Sequence, residues 1–194
     1  MILASASPRR KELLRKVVPH FQVLPMKISE IPDENLNADE QILQIARRKA
    51  GAAVAMIPDF GAAPVVILSA DTEVVLDGKL LGKPSSTEDA ILTLSRLSAR
   101  AHDVKTAITL IVGPSGEEIS HLETTRITFR PLSRDEISRY AETGDPLDKA
   151  GSYGIQGGAR SFVEKIEGDF DNVVGLPTKV LESVIRSRGW VFQP

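Results

Sequence analysis

Leu3-Ala-Ser-Ala-Ser-Pro-Arg-Arg-Lys-Glu-Leu-Leu14 reads as a short strand, a hydroxyl-bearing turn and the first turn of a helix. Ser7 suits the N-cap, and Pro8 suits the first helical position, where its missing N–H costs nothing. Arg9, Arg10 and Lys11 then stand at the positive end of the helix dipole, where each added cation costs roughly 0.3–1 kcal/mol. Glu12 compensates only in part. A bound anion would turn that cost into affinity, because free N–H groups, the hydroxyls of Ser5 and Ser7 and guanidinium forks all suit phosphate. The competing reading is a solvated basic helix start.

Working outward, the spacing predicts a helix over residues 8–17, with Leu13, Leu14 and Val17 inward. A strand follows near 21–24, then an acidic loop over 29–37. Asn37 with Glu40 at the third position forms a capping-box variant, opening a helix that runs to about Met56. Residues 65–69 are an apolar run suited to a buried strand, and Asp77-Gly78 marks a tight hairpin within 74–81. A helix is expected over 87–97, capped near Ser86. Strands over 102–112 and 118–129 are joined by Gly113-Pro-Ser-Gly116. Ser133-Arg-Asp-Glu136 is a capping box for a helix reaching about Glu142. A Gly-rich loop, a strand near 161–166 and a helix over 177–188 complete the chain. Strands alternate with helices but hairpins also occur, so the expected class is α/β, with a mixed, twisted sheet flanked by helices.

Composition narrows the function. At 194 residues the chain suits a single domain, here expected to form two lobes around a substrate cleft. A formal net charge of -2 gives no global basic field, so no nucleic-acid partner is expected. The absence of cysteine excludes disulfides, thiolate metal sites and cysteine nucleophiles, and three scattered histidines make a structural zinc site an unattractive reading. No apolar run is long enough to cross a bilayer, and no leader-like segment opens the chain. The expectation is therefore a cytoplasmic protein with no membrane partner.

Several polar residues stand where packing alone would not put them. Lys49 lies on the helical face of Ile42, Ile45, Ala46, Ala53 and Met56, as a snorkelling stem or as a cation bordering a cleft. Arg47 and Arg48 point elsewhere and read as plain surface. Asp71-Thr72 ends the apolar run 65–70, where α/β folds place catalytic groups, although a turn aspartate reads equally simply. Asp71 suits a proton acceptor or a Mg²⁺ ligand, and Glu73 would share its face if the strand continued. Gly82-Lys83-Pro84 pre-aims a cation without the Walker A spacing. Gly151-Ser-Tyr-Gly-Ile-Gln-Gly-Gly158 suits backbone close to a ligand. Within it Gln156 can read a base edge by donating and accepting at once, and Tyr153 is either a stacking face or core. Asp148 and Lys149 are positioned to hold that loop.

Five segments in this order resemble the Maf family of nucleoside triphosphate pyrophosphatases. They are the opening Leu3 to Arg10, Ala46-Arg-Arg-Lys-Ala50, Ala70-Asp-Thr72 with Gly82-Lys-Pro84, Asp148-Lys-Ala-Gly-Ser-Tyr-Gly-Ile-Gln-Gly157, and Asn172-Val-Val-Gly-Leu-Pro177. The form of the fourth is similar to the branch acting on dTTP and UTP, and lacks the Ser-Glu-Gly pattern of the branch acting on 7-methyl-GTP. The resemblance implies hydrolysis to the monophosphate and pyrophosphate, a divalent cation (Mg²⁺ or Mn²⁺), and a homodimer as the candidate assembly. It implies that Asp71 is the proton acceptor and that Arg9, Thr72 and Gln156 govern substrate choice. Ser5, Ser7, Arg10, Glu30, Lys49 and Lys83 would contact the substrate, and Asp71 with Glu73 would serve the metal. Glu73 and Lys105-Thr106-Ala107 depart from the usual family residues. Other base preferences, a non-catalytic nucleotide-binding regulator of cell division and a nucleotidyltransferase are the competing readings.

Overall fold

The computed structural model describes residues 1–62 and 64–192. A seven-stranded sheet runs β2-β1-β3-β5-β6-β7, with β4 paired to β3. The strands are β1 (Ile2–Leu3), β2 (Gln22–Val23), β3 (Val65–Leu76), β4 (Lys79–Leu80), β5 (Ala101–Gly113), β6 (Glu117–Phe129) and β7 (Val163–Glu167). Pairing is parallel for β1 with β2 and with β3, and antiparallel for β3 with β4 and β6 with β7. The helices are α1 (Pro8–Val17), α2 (Ala38–Ala55), α3 (Thr87–Leu97), α4 (Arg134–Glu142), α5 (Phe170–Val174) and α6 (Thr178–Ser187). The mixed α/β sheet is as the sequence predicts.

The local signals explain most boundaries. Ser7 caps α1 by accepting from Arg10 N, and Asn37–Glu40 and Ser133–Glu136 both form reciprocal capping boxes. Asp77 and Gly78 both take positive φ, 53° and 75°, as a tight hairpin requires. Four expectations need correction. The strand expected over 65–69 continues to Leu76, because Ala70, Val74 and Val75 are as buried as the residues before them. In α1 the inward valine is Val18, fully buried just past the helix end, while Val17 is half-buried. Met56 is 58% exposed because α2 ends at Ala55 and the buried face ends with it. Residues 161 and 162 belong to a 3-10 turn, so β7 starts later than expected.

The chain divides into two compact units. The first comprises residues 1–71, 106–123 and 175 onward. In it α1 packs against α6, and the small buried residues Ala50 and Ala53 of α2 gather with Ala4 and Ile67. Ser69 Oγ donates to the Ala46 carbonyl (2.6 Å), which fixes α2 against β3 one helical turn before Lys49. The second unit comprises residues 72–105 and 124–174. Its core holds α3 against α4 and an aromatic cluster in which Phe129 meets Tyr153, Phe162 and His102 edge-on. Among the described residues no helix is long and apolar enough to cross a membrane.

Candidate functional site

In the first unit, the turn after β1 is organised around serine hydroxyls. Ser5 Oγ accepts from Ser7 N (3.2 Å) and from Arg10 Nη1 (3.3 Å). Arg10 Nε donates to the Gly175 carbonyl at 2.9 Å. The first and last sequence motifs thus meet, with Gly175 holding the guanidinium that the opening stretch supplies. Arg9 is half-buried and makes no side-chain hydrogen bond or ion pair among the described residues.

The second feature of this unit is a lysine held by two carboxylates. Lys49 Nζ lies 2.8 Å from Asp71 Oδ1 and 2.6 Å from Glu30 Oε1. The Lys49 and Asp71 side chains are each 8% exposed, whereas Glu30 is 44% exposed. The snorkelling alternative for Lys49 is therefore replaced by a buried ion pair. The turn alternative for Asp71 also falls, since the residue lies inside β3 and not at a strand end. Asp71 Oδ2 is buried with no hydrogen-bond partner among the described residues. Glu30 sits in a segment without regular structure, and Arg48 holds that segment from both sides. Its guanidinium donates to the Ser29 carbonyl and, at 3.3 Å, to the Ile31 carbonyl. Sequence reasoning read Arg48 as plain surface; its place beside Lys49 on α2 was the one available signal. Arg47 does face outward, paired with Glu118 at 2.7 Å.

In the second unit, Gly82 and the Gly-rich loop come together: Gly151 N donates to the Gly82 carbonyl at 2.8 Å. Gly151 takes φ +67°, and a Cβ there would meet Val74 Cγ2 at 2.6 Å, so the position demands glycine. Lys83 and Gln156 are exposed, and Thr72 and Glu73 are half-buried. On β3 the alternation puts Glu73 on the face of Asp71 and Thr72 on the other. Tyr153 resolves as core, donating to or accepting from His102 Nε2 at 2.8 Å. Burial lowers the His102 pKa to about 4, so the ring is neutral near pH 7. Asn172 is likewise structural, its Nδ2 donating to the Val104 carbonyl and to Thr125 Oγ1, both at 3.0 Å. Among the described residues no group of three or more His, Asp or Glu side chains gathers closely enough to hold a metal.

The motifs that carry these features extend over most of the sequence, and the profile described as Maf-like protein matches residues 1–188. The chain belongs to the Maf family. Its Maf relatives include a protein of Bdellovibrio bacteriovorus named dTTP/UTP pyrophosphatase, 49% identical over 185 residues, covering 95% of this chain and 96% of that one. A protein of the same name from Carboxydothermus hydrogenoformans is 44% identical, covering 97% of this chain and 98% of its own. Another, from Methanosarcina barkeri, is 43% identical, covering 97% and 94%. The solved structure of the Staphylococcus aureus Ham1 protein has a TM-score of 0.51 and is 13% identical, covering 96% of this chain and 98% of that one. That likeness is one of fold. Of the residues expected to serve a Maf site, the structure brings Ser5, Ser7 and Arg10 into one hydrogen-bonded turn, and Glu30, Lys49 and Asp71 into one ion-paired cluster.

Proposed function

We propose that this chain is a nucleoside triphosphate pyrophosphatase that hydrolyses dTTP and UTP to the monophosphate and pyrophosphate, clearing or adjusting the nucleotide pool. The observation that carries the chemistry is Lys49 clasped by Asp71 and Glu30. The base preference is supported by relatives at 41–49% identity named dTTP/UTP pyrophosphatase.

Water adds across the bond joining the α- and β-phosphates. Asp71 is assigned to orient or deprotonate that water. Its Oδ1 is engaged by Lys49, which leaves Oδ2 for the task. Lys49 fixes the carboxylate and, with Arg9, Arg10 and Lys83, offsets the charge of the triphosphate. The Ser5 and Ser7 hydroxyls, at the N-terminal end of α1, supply phosphate donors. Gln156, aided by Thr72, reads the pyrimidine edge, and a wrong base leaves those polar groups unpaired.

A divalent cation fits the donor set. Asp71 Oδ2 is an orphaned hard oxygen ligand, with Glu30 and Glu73 as further donors. Mg²⁺ or Mn²⁺ bound there would neutralise phosphate charge and polarise the oxygens it touches. The absence of a three-ligand cluster among the described residues is compatible with this, since Mg²⁺ commonly takes one or two carboxylates and completes its shell with phosphate and water. The same reading treats residues 1–194 as one functional domain, cytoplasmic and homodimeric, the last being open to size-exclusion measurement.

The test is pyrophosphate release from dTTP, UTP, CTP, 7-methyl-GTP and ITP with Mg²⁺ or Mn²⁺, alongside Asp71→Asn. Release from dTTP and UTP that disappears in the variant supports the assignment. Near-normal turnover of the variant at saturating metal removes Asp71 from its role. Nucleotide binding without any release moves the chain to the regulator class.

A further inference from the structure

Gln156 is exposed at the tip of a turn that backbone and side-chain hydrogen bonds hold. Gly157 N donates to the Gly154 carbonyl at 3.1 Å, closing a four-residue turn with Ile155 and Gln156 at its centre. Ile155 is buried and pins one side. The other side rests on a buried tyrosine of α4: Gly154 N donates to Tyr140 Oη at 3.0 Å. Tyr140 Oη in turn donates to Asp145 Oδ2 at 2.6 Å. Lys149 Nζ closes the knot, reaching the Asp145 carbonyl (2.6 Å), Asp145 Oδ1 (3.0 Å) and Asp148 Oδ1 (2.7 Å).

The glycines of the turn wrap this knot closely. A Cβ at Gly154 would lie 2.7 Å from Lys149 Cε, one at Gly157 would lie 3.2 Å from Asp145 Oδ2, and one at Gly158 would lie 3.2 Å from the Tyr140 ring. The ring itself packs edge-on against Phe162, with centroids 5.3 Å apart. Burial, and then Asp145, push the Tyr140 phenol above its ordinary pKa, so it stays protonated and remains a donor to Asp145 over any working pH.

We propose that Tyr140, oriented by Asp145 and Lys149, is the positioning residue that fixes the Gly154–Gly157 turn and thereby sets how strictly Gln156 discriminates among bases. The inference rests on the pyrophosphatase reading above and adds the device that makes base selection strict. A side chain reads a base edge selectively only when its backbone is held to within about half an ångström. Without the Tyr140 hydroxyl, Gly154 N loses its acceptor, and the turn keeps its own Gly157–Gly154 hydrogen bond, the Ile155 anchor and packing contacts but loses that hydrogen bond to α4.

The experiment compares wild type with Tyr140→Phe, and with Ser133→Ala, which weakens the N-cap of the same helix without touching the turn. Tyr140→Phe is expected to raise KM for dTTP about tenfold, the scale of one lost hydrogen bond, with kcat within about twofold. The preference for dTTP over CTP in kcat/KM falls about fivefold or more, and amide exchange at Gly154 quickens about tenfold. Ser133→Ala lowers Tm while leaving the preference and the Gly154 exchange unchanged. Unchanged Gly154 exchange in Tyr140→Phe overturns the anchoring. Faster exchange with an unchanged preference overturns the link to selection, as does an equal loss of preference in Ser133→Ala. If wild type releases no pyrophosphate from dTTP or UTP, the functional reading falls and base selection with it, while Gly154 exchange still decides the anchoring.

Discussion

Removing the Lys49 ammonium tests the charge arrangement at the heart of the candidate site. Lys49→Met keeps the length and most of the volume of the stem but strands Asp71, whose side chain is 8% exposed, without a cation. Breaking a buried pair in this way costs about 3–5 kcal/mol, because an uncompensated charge remains in a poorly solvated place. Glu30 adds little to the total, since its side chain is 44% exposed and water can take over. For a chain of 194 residues the loss corresponds to a fall in Tm of roughly 10 °C. Thermal unfolding followed by circular dichroism at pH 8, in chelator, reads this directly. Adding Asp71→Asn to Lys49→Met removes the charge and should recover most of the lost Tm. A deficit below about 1 kcal/mol at pH 8, or one that the second substitution does not relieve, refutes the buried ion pair as the organising feature.

Three further outcomes follow from particular contacts. His102 is held neutral with a pKa of about 4, against 6.5 in the unfolded chain, so the unfolded state binds the extra proton as pH falls between those values. Stability contributed at neutral pH is therefore lost from about pH 6.5 down to 4, by about 3 kcal/mol in total, and urea titrations of His102→Gln should lack that component. Arg48→Ala frees the segment that carries Glu30; kcat/KM for dTTP should fall about tenfold with Tm nearly unchanged, because the side chain is exposed and its contribution is to position Glu30. Gly151→Ala forces a side chain into φ +67° and against Val74 at 2.6 Å, and should lower stability by more than about 1 kcal/mol in denaturant unfolding.

The capping boxes, the Asp77-Gly78 hairpin and the alternation of strands and helices were legible because each depends on residues within one turn of each other. The opening stretch was legible for a related reason: three cations at a helix start are an electrostatic anomaly visible without any partner. The length of β3 was not, because a buried strand can continue through polar residues when their partners come from elsewhere. Asp71 looked like a strand end only because its partner, Lys49, lies 22 residues away on α2. Arg48 is exposed, as the sequence reading has it, but its hold on the segment at Ser29 and Ile31 was not legible, since its acceptors are backbone carbonyls and no side-chain pattern advertises a carbonyl.

By itself, then, the sequence determined the α/β class, most element boundaries and the family, and it singled out charged residues as candidates for phosphate chemistry. Tertiary structure alone decided which of those charges neutralise one another, that Arg10 rests on Gly175, that Tyr153 is core, and that the turn bearing Gln156 hangs on Tyr140. The division has one physical cause. Propensity, capping and periodicity act over a few residues, whereas the strength and partner of a charge or hydrogen bond depend on burial and on distances set only when remote segments pack.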